Sequence, residues 1–456
     1  MSGRIHFCGI AGTGLSALAR LAVWRGLRVS GSDRFFDRGE SRELRRALEK
    51  EGIVILPQDG SGVSGAETVV SSAAVEADIP DVAEARKMGV SVVSRAAFLR
   101  EWGRPYRRVA VAGTNGKSTT TAMLAWILHR LGRDPTVVLG AEPRGDWGGE
   151  GNARAGGSDL FCFEADESDG ELDSYRPEVG AVTNISEDHF CLDDLVGIFQ
   201  RFAASVTETL VVNRDSSPCR ALFRHARSCT TFSLEGEGDY NASEVELKPA
   251  GSRFRWNEIP CFISLPGVHN VADALCALTV AAVLGADPRS AADALASFPG
   301  LGRRLEVVGY SGGTAVLDDY AHNPAKIAAS LAAARLLKKH LAVVYRPHGF
   351  TPLARFLAGY ARAFSAGLGP EDLLVLLPVF YAGGTAAEGK GSRDLAVGIT
   401  GGCRVLLADD LDEAAAAVEQ ALRPETAVIF MGARDPDLSS GARRFLSSLR
   451  DRGGEG

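Results

Sequence analysis

The sequence from Arg107 to Thr121 reads RRVAVAGTNGKSTTT: an apolar run, a glycine turn and a lysine followed by a hydroxyl. Apolar residues then recur at helical spacing, at Met123, Leu124, Ile127, Leu128 and Leu131. Backbone N–H groups in such a turn close on phosphate oxygens, and the helix N-terminus favours their negative charge. Lys117 can reach terminal phosphates and Ser118 can bind Mg²⁺. Because position 111 is Val instead of the glycine of the full P-loop spacing, the stretch predicts a shortened phosphate-binding loop.

Two acidic clusters follow later strands of the same block. An apolar run at 161–163 leads into Glu164-Ala-Asp-Glu-Ser-Asp169, and a run at 181–183 leads towards Asp188-His189. A solvated charged turn and a structural histidine are the ordinary interpretations of each cluster alone. The carboxyl ends of parallel strands meet at one sheet edge, where ligands gather. Together with the phosphate loop, the clusters predict one Mg–ATP site.

Composition limits the class of protein. A chain of 456 residues exceeds one compact core, so we expect two to four domains. The net charge of −7 and the lack of a Lys/Arg block disfavour nucleic acid as a partner, and no apolar stretch reaches membrane-spanning length. A strand pattern starts at Arg4, so we expect no signal peptide and a cytoplasmic location. The eight cysteines form no Cys-x-x-Cys pair and are interpreted as reduced core residues.

Alternating strand and helix patterns divide the chain into blocks 1–105, 106–308 and 309–456 and predict an α/β fold of three domains. The first and third blocks are predicted to be Rossmann-like, and the second is the phosphate-loop domain. The predicted elements are strands 4–8, 27–30, 67–71, 90–94, 315–317, 340–345, 373–377, 404–407 and 427–431, and helices 15–25, 326–337 and 411–422. We expect a linker at 102–105 and a mobile loop in the Gly-rich segment 145–157.

A second glycine turn, Gly9-Ile-Ala-Gly-Thr-Gly14, follows the first strand, and Asp33 ends the second strand. This βαβ pattern is similar to a dinucleotide fingerprint, although its spacing is Gly-x-x-Gly-x-Gly. A nicotinamide-dependent oxidoreductase is therefore an alternative from another class. The intact set of Lys117, Ser118, Glu164 and His189 favours ATP chemistry over it.

The motifs together resemble the Mur ligases, the ATP-dependent amino-acid ligases of peptidoglycan synthesis. The resemblance runs the whole length of the chain and rests on IHFCGIAGTG (5–14), GSD (31–33), SSA (71–73), GTNGKS (113–118), EADESD (164–169), TNISEDH (183–189), GVHN (267–270), GRR (302–304) and DDYAHNP (318–324). It implies that the first domain binds a UDP-sugar, the central domain binds ATP, and the third closes over both with the incoming amine.

The resemblance also assigns roles to single residues. It implies catalytic roles for Lys117, His189 and Arg304, and Mg²⁺ ligation by Ser118, Glu164 and His189. The residues implied for ATP are Gly113, Thr114, Asn115, Gly116, Lys117, Ser118, Thr119, Asn270, Asp273, Arg304 and Asp319. Those implied for the UDP-sugar and the amine are Gly12, Thr13, Gly14, Asp33, Ser71, Ser72, Glu167, Ser168, His322, Arg346 and His348.

An acyl-phosphate mechanism follows from the resemblance. The lactyl carboxylate of UDP-N-acetylmuramate attacks the γ-phosphate of ATP, and the amine then attacks the acyl carbon and displaces phosphate. A carboxylate approaching a polyanion needs its repulsion screened by Mg²⁺, Lys117 and an arginine. Relatives with a carbamylated lysine carry it about two turns past the Asp-His strand, and 192–206 contains no lysine. This agrees with the branch that adds L-alanine.

The amine site departs from that branch. Alanine-adding enzymes show Pro-His followed by two arginines that bind the amino-acid carboxylate, whereas Gly349 and Pro352 stand in those places after Pro347-His348. Asn323 likewise stands where a second histidine is usual. Either Arg346 or Arg355 could supply the cation, since one guanidinium grips a carboxylate, and we favour Arg346. The alternative within the family is a recycling ligase that joins a murein tripeptide to the same UDP-sugar. We expect a monomer or a homodimer.

Overall fold

A computed structural model of the chain describes residues 3–71, 79–187, 191–380 and 389–453. The chain forms two compact units, which are described in turn. The first consists of Met1–Glu244, Phe254–Cys261 and Ala272–Pro299, and the second of Val245–Arg253, Phe262–Val271 and Gly300–Gly456. Each unit is built on parallel strands with helices between them, as the α/β prediction requires.

The first unit begins with a five-stranded parallel sheet of order β3-β2-β1-β4-β5. Its strands are β1 Arg4–Cys8, β2 Arg28–Ser32, β3 Val54–Leu56, β4 Thr68–Ser71 and β5 Ser91–Ser94. Its helices are α1 Thr13–Trp24, α2 Arg34–Asp37, α3 Arg42–Lys50, α4 Pro80–Lys87 and α5 Arg95–Gly103. The predicted elements are present, with ends that differ by one or two residues.

A second, larger sheet follows. Its strands are β6 Arg107–Ala112, β7 Thr136–Val138, β8 Ala153–Arg154, β9 Leu160–Glu164, β10 Val179–Val182, β11 Thr209–Asn213, β12 Cys229–Ser233, β13 Tyr240–Lys248, β14 Gly251–Trp256 and β15 Ile259–Ile263. The part from β6 to β12 has the order β12-β11-β10-β6-β9-β7-β8. The helices that follow these strands are α6 Lys117–Arg130, α7 Leu192–Ser205, α8 Val268–Val283 and α9 Pro288–Ala296. Strand β6 therefore lies between β9 and β10, which carry the acidic clusters.

Two sequence expectations for the first unit were wrong. Trp102, placed in a linker, lies in α5 with only 3% of its surface exposed and stacks on Tyr106 at 5.2 Å between ring centroids. The Gly-rich segment 145–157, predicted to be a mobile loop, contains β8 and buries Asn152. The Asn152 amide donates to the carbonyls of Thr13 and Leu139 and accepts from Arg20. Buried aromatic surface and satisfied polar groups thus order segments whose composition suggested loops.

The second unit contains a six-stranded sheet of order β16-β17-β21-β18-β19-β20, in which only the β16–β17 pair is antiparallel. Its strands are β16 Glu306–Ser311, β17 Thr314–Asp319, β18 His340–Tyr345, β19 Leu373–Leu376, β20 Arg404–Leu407 and β21 Thr426–Met431. Its helices are α10 Pro324–Leu337, α11 Phe350–Gly367, α12 Ser392–Gly398, α13 Leu411–Ala421 and α14 Pro436–Gly453. The antiparallel edge strand β16 was not anticipated.

The cysteines mostly match the expectation of core residues. All eight are free thiols, and Cys8, Cys162, Cys219, Cys261 and Cys276 are buried. Cys191 is exposed, so it does not fit the expectation. None of the helices in the described ranges is both long and apolar enough to cross a bilayer.

A network of buried hydrogen bonds holds α4 against the first sheet. His6 and Asp81 have no exposed side-chain surface, and His6 Nε2 lies 3.3 Å from Asp81 Oδ2. The Asp81 carboxylate also accepts from Ser32 Oγ and, at 2.7 Å, from the backbone N–H of Gly60. Burial alone would raise the pKa of Asp81, but the hydrogen bonds from His6 and Ser32 outweigh it and lower that pKa.

We predict that Asp81→Ala lowers the free energy of unfolding by about 3 kcal/mol at pH 7, because it leaves three buried donors without their acceptor. Since the folded-state pKa of Asp81 is lowered, its contribution is complete above the unfolded value of 3.8 and is lost as pH falls through the folded pKa. The measurement is the first transition in urea unfolding of the full chain. Glu84→Gln, which removes an exposed ion pair with Lys87 on the same helix, is the control and should change it by less than about 0.5 kcal/mol. Equal effects of the two substitutions would contradict the role given to the network.

Candidate nucleotide and amine sites

The turn between β6 and α6 has the geometry of a phosphate-binding loop. Gly113 has φ +134° and Gly116 has φ +85°, in the region that glycine adopts without strain. A Cβ at Gly113 would overlap Thr183 Oγ1, and one at Gly116 would overlap the carboxylate of Asp273. Both positions therefore require glycine for space as well as for backbone conformation. Helix α6 starts at Lys117, so its N-terminal N–H groups face the turn, and the Ser118 and Thr119 side chains are buried there.

Lys117 is held across the loop by two acceptors. Its Nζ donates to the carbonyl of Gly113 at 2.7 Å and to Glu167 Oε2 at 2.6 Å. Glu167 is 1% exposed. Burial alone would lower the pKa of Lys117, but the negative charges of Glu167, Asp166 and Glu164 outweigh it and raise that pKa. The ammonium is therefore charged and oriented beside the turn.

Ser118 and Glu164 lie together, as the sequence predicted. Ser118 Oγ donates to Glu164 Oε2 at 3.0 Å, and the other carboxylate oxygen accepts from the backbone N–H of Gly140. The register pairs Val111 of β6 with Glu164 of β9, which brings the carboxylate to the end of the strand that enters the loop. A hydroxyl and a carboxylate are hard oxygen donors of the kind that Mg²⁺ combines with water and phosphate oxygens. The donor set fits Mg²⁺, although no group of three His, Cys, Asp or Glu side chains suited to a metal occurs in the described part of the chain.

The end of β10 braces the phosphate loop, a role that was not inferred from the sequence. Thr183 Oγ1 donates to the carbonyl of Asn115 at 2.6 Å, and the Asn184 amide donates to the same carbonyl at 2.9 Å. Asn184 accepts in return from the backbone N–H of Asn115, while Thr114 Oγ1 donates to the carbonyl of Ser186. The quoted TNISEDH motif contained these residues, but only its Asp and His were interpreted. Their contacts fix the loop backbone, so the loop does not have to be ordered on binding.

The first glycine turn is also fixed by side chains. Asp33 accepts from the backbone N–H groups of Ala11 and Phe35 at 2.9 and 3.0 Å, so its carboxylate stabilises the turn and caps α2. Gly12 is the residue that precedes α1, and Thr13 begins the helix. Burial raises the pKa of Asp33. The structure thus gives Asp33 a positioning function beside the implied substrate loop.

Arg95 connects this turn to the acidic cluster, a further contact that sequence reasoning missed. A Cβ at Gly14 would lie 2.9 Å from Arg95 Nη1. The same guanidinium lies 3.8 Å from Asp166 Oδ2 and donates to the carbonyl of Glu164. Asp166, which also accepts from the backbone N–H of Ser168, has its pKa held low by Lys117 and Arg95 despite burial. Arg95 therefore lies close both to the glycine turn at residues 9–14 and to the acidic residues beside the phosphate-binding loop.

Helix α8 carries the two residues implied for adenine. Asn270 donates from its amide to the carbonyl of Pro266 at 2.7 Å and is 7% exposed. Asp273, one turn later, is equally buried and lies against Gly116. The Asn270 amide thus forms a hydrogen bond at the N-terminus of its own helix. Asp273 fills the space beside Gly116 of the phosphate-binding loop.

In the second unit, Asp319 ends β17 and is 4% exposed. It accepts from Ser330 Oγ and, at 3.0 Å, from the backbone N–H of Ala321. Burial raises the pKa of Asp319 to about 6, against the hydrogen bond from Ser330 and the charge of Arg304. The Arg304 guanidinium lies 4.8 Å from the Tyr320 ring centre. The implied ribose and γ-phosphate residues therefore lie at the same edge of the six-stranded sheet.

His322 and His348 approach each other at that edge, with ring centres 4.7 Å apart. His322 Nδ1 lies 2.9 Å from the Tyr320 carbonyl, and Nε2 lies 3.4 Å from Lys326 Nζ. A carbonyl only accepts, so Nδ1 carries the proton and Nε2 accepts from Lys326. Burial lowers the pKa of His322 well below its usual value, and the charge of Lys326 acts in the same direction. His322 is therefore a neutral imidazole.

The two arginines considered for the amino-acid carboxylate differ in their contacts and in their exposure to solvent. Arg346 Nη1 lies 2.5 Å from Asp435 Oδ2, and Asp435 is 1% exposed. Arg355 lies in α11, is exposed, and lies 5.2 Å from the Phe356 ring centre. The ion pair with Asp435 gives Arg346 a structural function. Ser71 ends β4 in a half-buried position, while Ser72 and His189 lie outside the described residues.

Family comparisons cover most of the chain. The model of the Mur ligase family catalytic domain matches residues 4–107, that of the Mur ligase middle domain matches 111–281, and that of the Mur ligase glutamate ligase domain matches 303–434. The predicted α/β class with three domains agrees with this architecture.

Relatives match over nearly the full length. A UDP-N-acetylmuramate–L-alanine ligase of Synechococcus sp. (strain JA-2-3B'a(2-13)) is 34% identical, over 99% of this chain and 94% of that protein. The enzyme of the same name from Thermobifida fusca (strain YX) is also 34% identical, over 95% of this chain and 94% of its own. The crystal structure of UDP-N-acetylmuramate-alanine ligase from Thermotoga maritima has a TM-score of 0.81 at 25% identity, covering 99% of this chain and 100% of that one. A murein peptide ligase from Psychrobacter arcticus, at 22% identity and TM-score 0.74, shares the fold over 98% of both chains. With three family domains in order and relatives above 30% identity over nearly its whole length, the chain belongs to the Mur ligase family.

Proposed function

We propose that the chain joins L-alanine to the lactyl carboxylate of UDP-N-acetylmuramate at the expense of ATP, through an acyl phosphate, in peptidoglycan precursor synthesis. The observation that carries the proposal is the arrangement of Lys117, Ser118 and Glu164 around the loop at the end of β6. The names of the full-length relatives support L-alanine as the amine. Phosphate, ADP and an amide are the products, and one ATP is consumed per amide bond.

The residues of the first unit account for the phosphoryl transfer. Two anions, the substrate carboxylate and the γ-phosphate, must approach each other, so their repulsion has to be screened. Lys117 is charged and oriented for this, and the loop N–H groups bind phosphate oxygens. Mg²⁺ held by Ser118 and Glu164 would neutralise phosphate charge as a Lewis acid.

The amine half of the reaction is assigned to the second unit. The amine nitrogen must be unprotonated when it attacks the acyl carbon, so neutral groups around it favour the reaction. His322, whose pKa is held low, is a neutral group whose Nδ1 donates to the Tyr320 carbonyl and whose Nε2 accepts from Lys326. His348 lies beside it on the segment that follows β18.

A comparison of amine substrates tests the proposed function directly. Phosphate release from ATP is measured with UDP-N-acetylmuramate and, in turn, L-alanine, L-serine, glycine and the murein tripeptide. We expect the highest kcat/KM with L-alanine. A higher value with the tripeptide would replace the proposal with the recycling ligase.

Removal of the loop cation should abolish ligation. We expect Lys117→Ala to lower kcat about 100-fold or more, corresponding to roughly 3 kcal/mol of lost transition-state stabilisation. Because this change leaves the buried Glu167 without its ion-pair partner, the matched variant is Lys117→Met with Glu167→Gln, which removes both charges. Steady-state phosphate release and circular dichroism are measured for both. Near-normal turnover in either folded variant would contradict the role of Lys117.

Loss of the Glu164 charge should weaken metal binding. Glu164→Gln keeps the side-chain shape between Ser118 and Gly140 but removes a hard anionic ligand. We expect the Mg²⁺ concentration for half-maximal phosphate release to rise about 10-fold or more. Glu208→Gln is the control, because Glu208 pairs with Arg107 at the start of β6, at the far end of the strand. An unchanged Mg²⁺ requirement in Glu164→Gln would refute this ligand assignment.

A further inference from the structure

Asn152 connects the two parts of the first unit that are implied to hold the UDP-sugar and ATP. Its amide nitrogen donates to the carbonyl of Thr13 at 2.6 Å and to the carbonyl of Leu139 at 2.9 Å. Thr13 belongs to the glycine turn that follows β1, and Leu139 follows β7 of the larger sheet. Thr13 and Asn152 lie in different family domains, matched at residues 4–107 and 111–281. One side chain therefore joins the implied UDP-sugar turn to the sheet that carries the phosphate-binding loop.

Arg20 fixes the direction of the Asn152 amide. Its Nη1 donates to Asn152 Oδ1 at 2.9 Å, and its Nε donates to Glu51 at 2.8 Å. A guanidinium has no acceptor, so the amide oxygen must face Arg20 and the amide nitrogen must face the two carbonyls. Arg20 is 4% exposed and Asn152 is 5% exposed, so both N–H groups of the amide are paired in a buried place. A buried amide that is paired in this way holds one geometry.

The Leu139 end of this connection lies beside the proposed Mg²⁺ ligand. One residue beyond the last pair of β7 and β9, Leu139 lies level with Glu164. Gly140 is the next residue, and it donates its backbone N–H to Glu164. The Glu164 carboxylate also accepts from Ser118 at the start of α6. A short path of hydrogen bonds thus runs from the Thr13 carbonyl through the Asn152 amide to the phosphate-binding loop.

We propose that Asn152 is a positioning residue for the first half-reaction, because it sets the distance between the UDP-sugar turn and the phosphate-binding loop. The inference rests on the proposed ligase function. In that step an oxygen of the lactyl carboxylate bonds to the γ-phosphorus of ATP, and the bond from this phosphorus to the β,γ-bridging oxygen breaks and leaves ADP. The two substrates are bound beside different sheets, so the sheets must be held at a fixed separation. A misplacement of about 1 Å can lower a rate about 100-fold.

The glycine turn has other contacts that keep its own shape. Asp33 accepts from the backbone N–H of Ala11, and Arg95 Nη1 lies beside Gly14. Neither contact involves Asn152. Loss of the Asn152 amide should therefore shift the turn relative to the larger sheet while its backbone N–H groups remain arranged for a diphosphate. Binding of the UDP-sugar and the rate of phosphoryl transfer should then respond differently to the same substitution.

The test is Asn152→Asp, which keeps the size of the side chain and the acceptor for Arg20 but places an oxygen against two carbonyls. At saturating substrates we expect kcat for phosphate release to fall about 10- to 100-fold. The Kd of UDP-N-acetylmuramate, measured by calorimetry without ATP, should stay within about threefold of the wild-type value. Hydroxylamine trapping of the acyl phosphate without any amine should slow by the same factor as kcat. Asn152→Ala removes the donors without adding an oxygen and should show the same difference between rate and binding.

A matched control makes the same chemical change elsewhere in the first unit. Asn241 also donates from its amide to a carbonyl, that of Gly238, at 2.8 Å. It lies in β13, which three strands separate from β6. Asn241→Asp should keep the wild-type kcat and the wild-type Kd of the UDP-sugar. Circular dichroism of all three variants shows whether each is folded.

The outcomes separate this proposal from the proposed function. A wild type that forms no hydroxamate from ATP and UDP-N-acetylmuramate would refute the ligase function itself. With an active wild type, an unchanged kcat in Asn152→Asp and Asn152→Ala would overturn the positioning role. A rise in the Kd of the UDP-sugar as large as the fall in kcat/KM would also overturn it, because Asn152 would then contribute to binding. Failure of both variants to fold would make Asn152 a stability residue and the proposal wrong.

Discussion

The parallel pairing of β6 with β9 on one side and β10 on the other is the constraint on which the nucleotide site depends. The register aligns Val111 with Glu164 and Ala112 with Val182, so three strands end together. The glycine turn follows β6, the Glu164 carboxylate ends β9, and the Thr183–Asn184 brace follows β10. A shift of one residue in either pairing would turn these side chains to the other face of the sheet.

The neighbouring charges then determine the ionisation and the position of the side chains at that edge. Lys117 lies among Glu164, Asp166 and Glu167, and this acidic surrounding keeps it charged and in place. Its rotamer freedom is therefore restricted by acceptors already present in the protein. Arg95 brings a second cation to the same acids from the first sheet. The edge combines positive charge for phosphates with oxygen donors for a metal.

Ion pairing also decides which cations of the second unit can act on a ligand. Arg335 is bound to Asp372 and Arg346 to Asp435, and both acids are almost fully buried. These guanidinium groups compensate charges that the fold has removed from water. Lys326 lies beside the imidazole of His322, with its Nζ 3.4 Å from Nε2.

The sequence alone determined the α/β class, the phosphate loop and the proximity of Ser118 to Glu164, because these follow from hydrophobic periodicity and from motifs that are local in the chain. Element positions were predicted well where strands were uniformly apolar, as at Arg4–Cys8 and His340–Tyr345. The burial of Trp102 and Asn152 depended on partners far away in sequence, such as Phe161 and Arg20, which local composition cannot reveal. Likewise, only the tertiary structure decided that Arg346 faces Asp435 while Lys326 faces His322, since ion pairs across 89 residues are set by the packing of α14 and β18 and not by spacing.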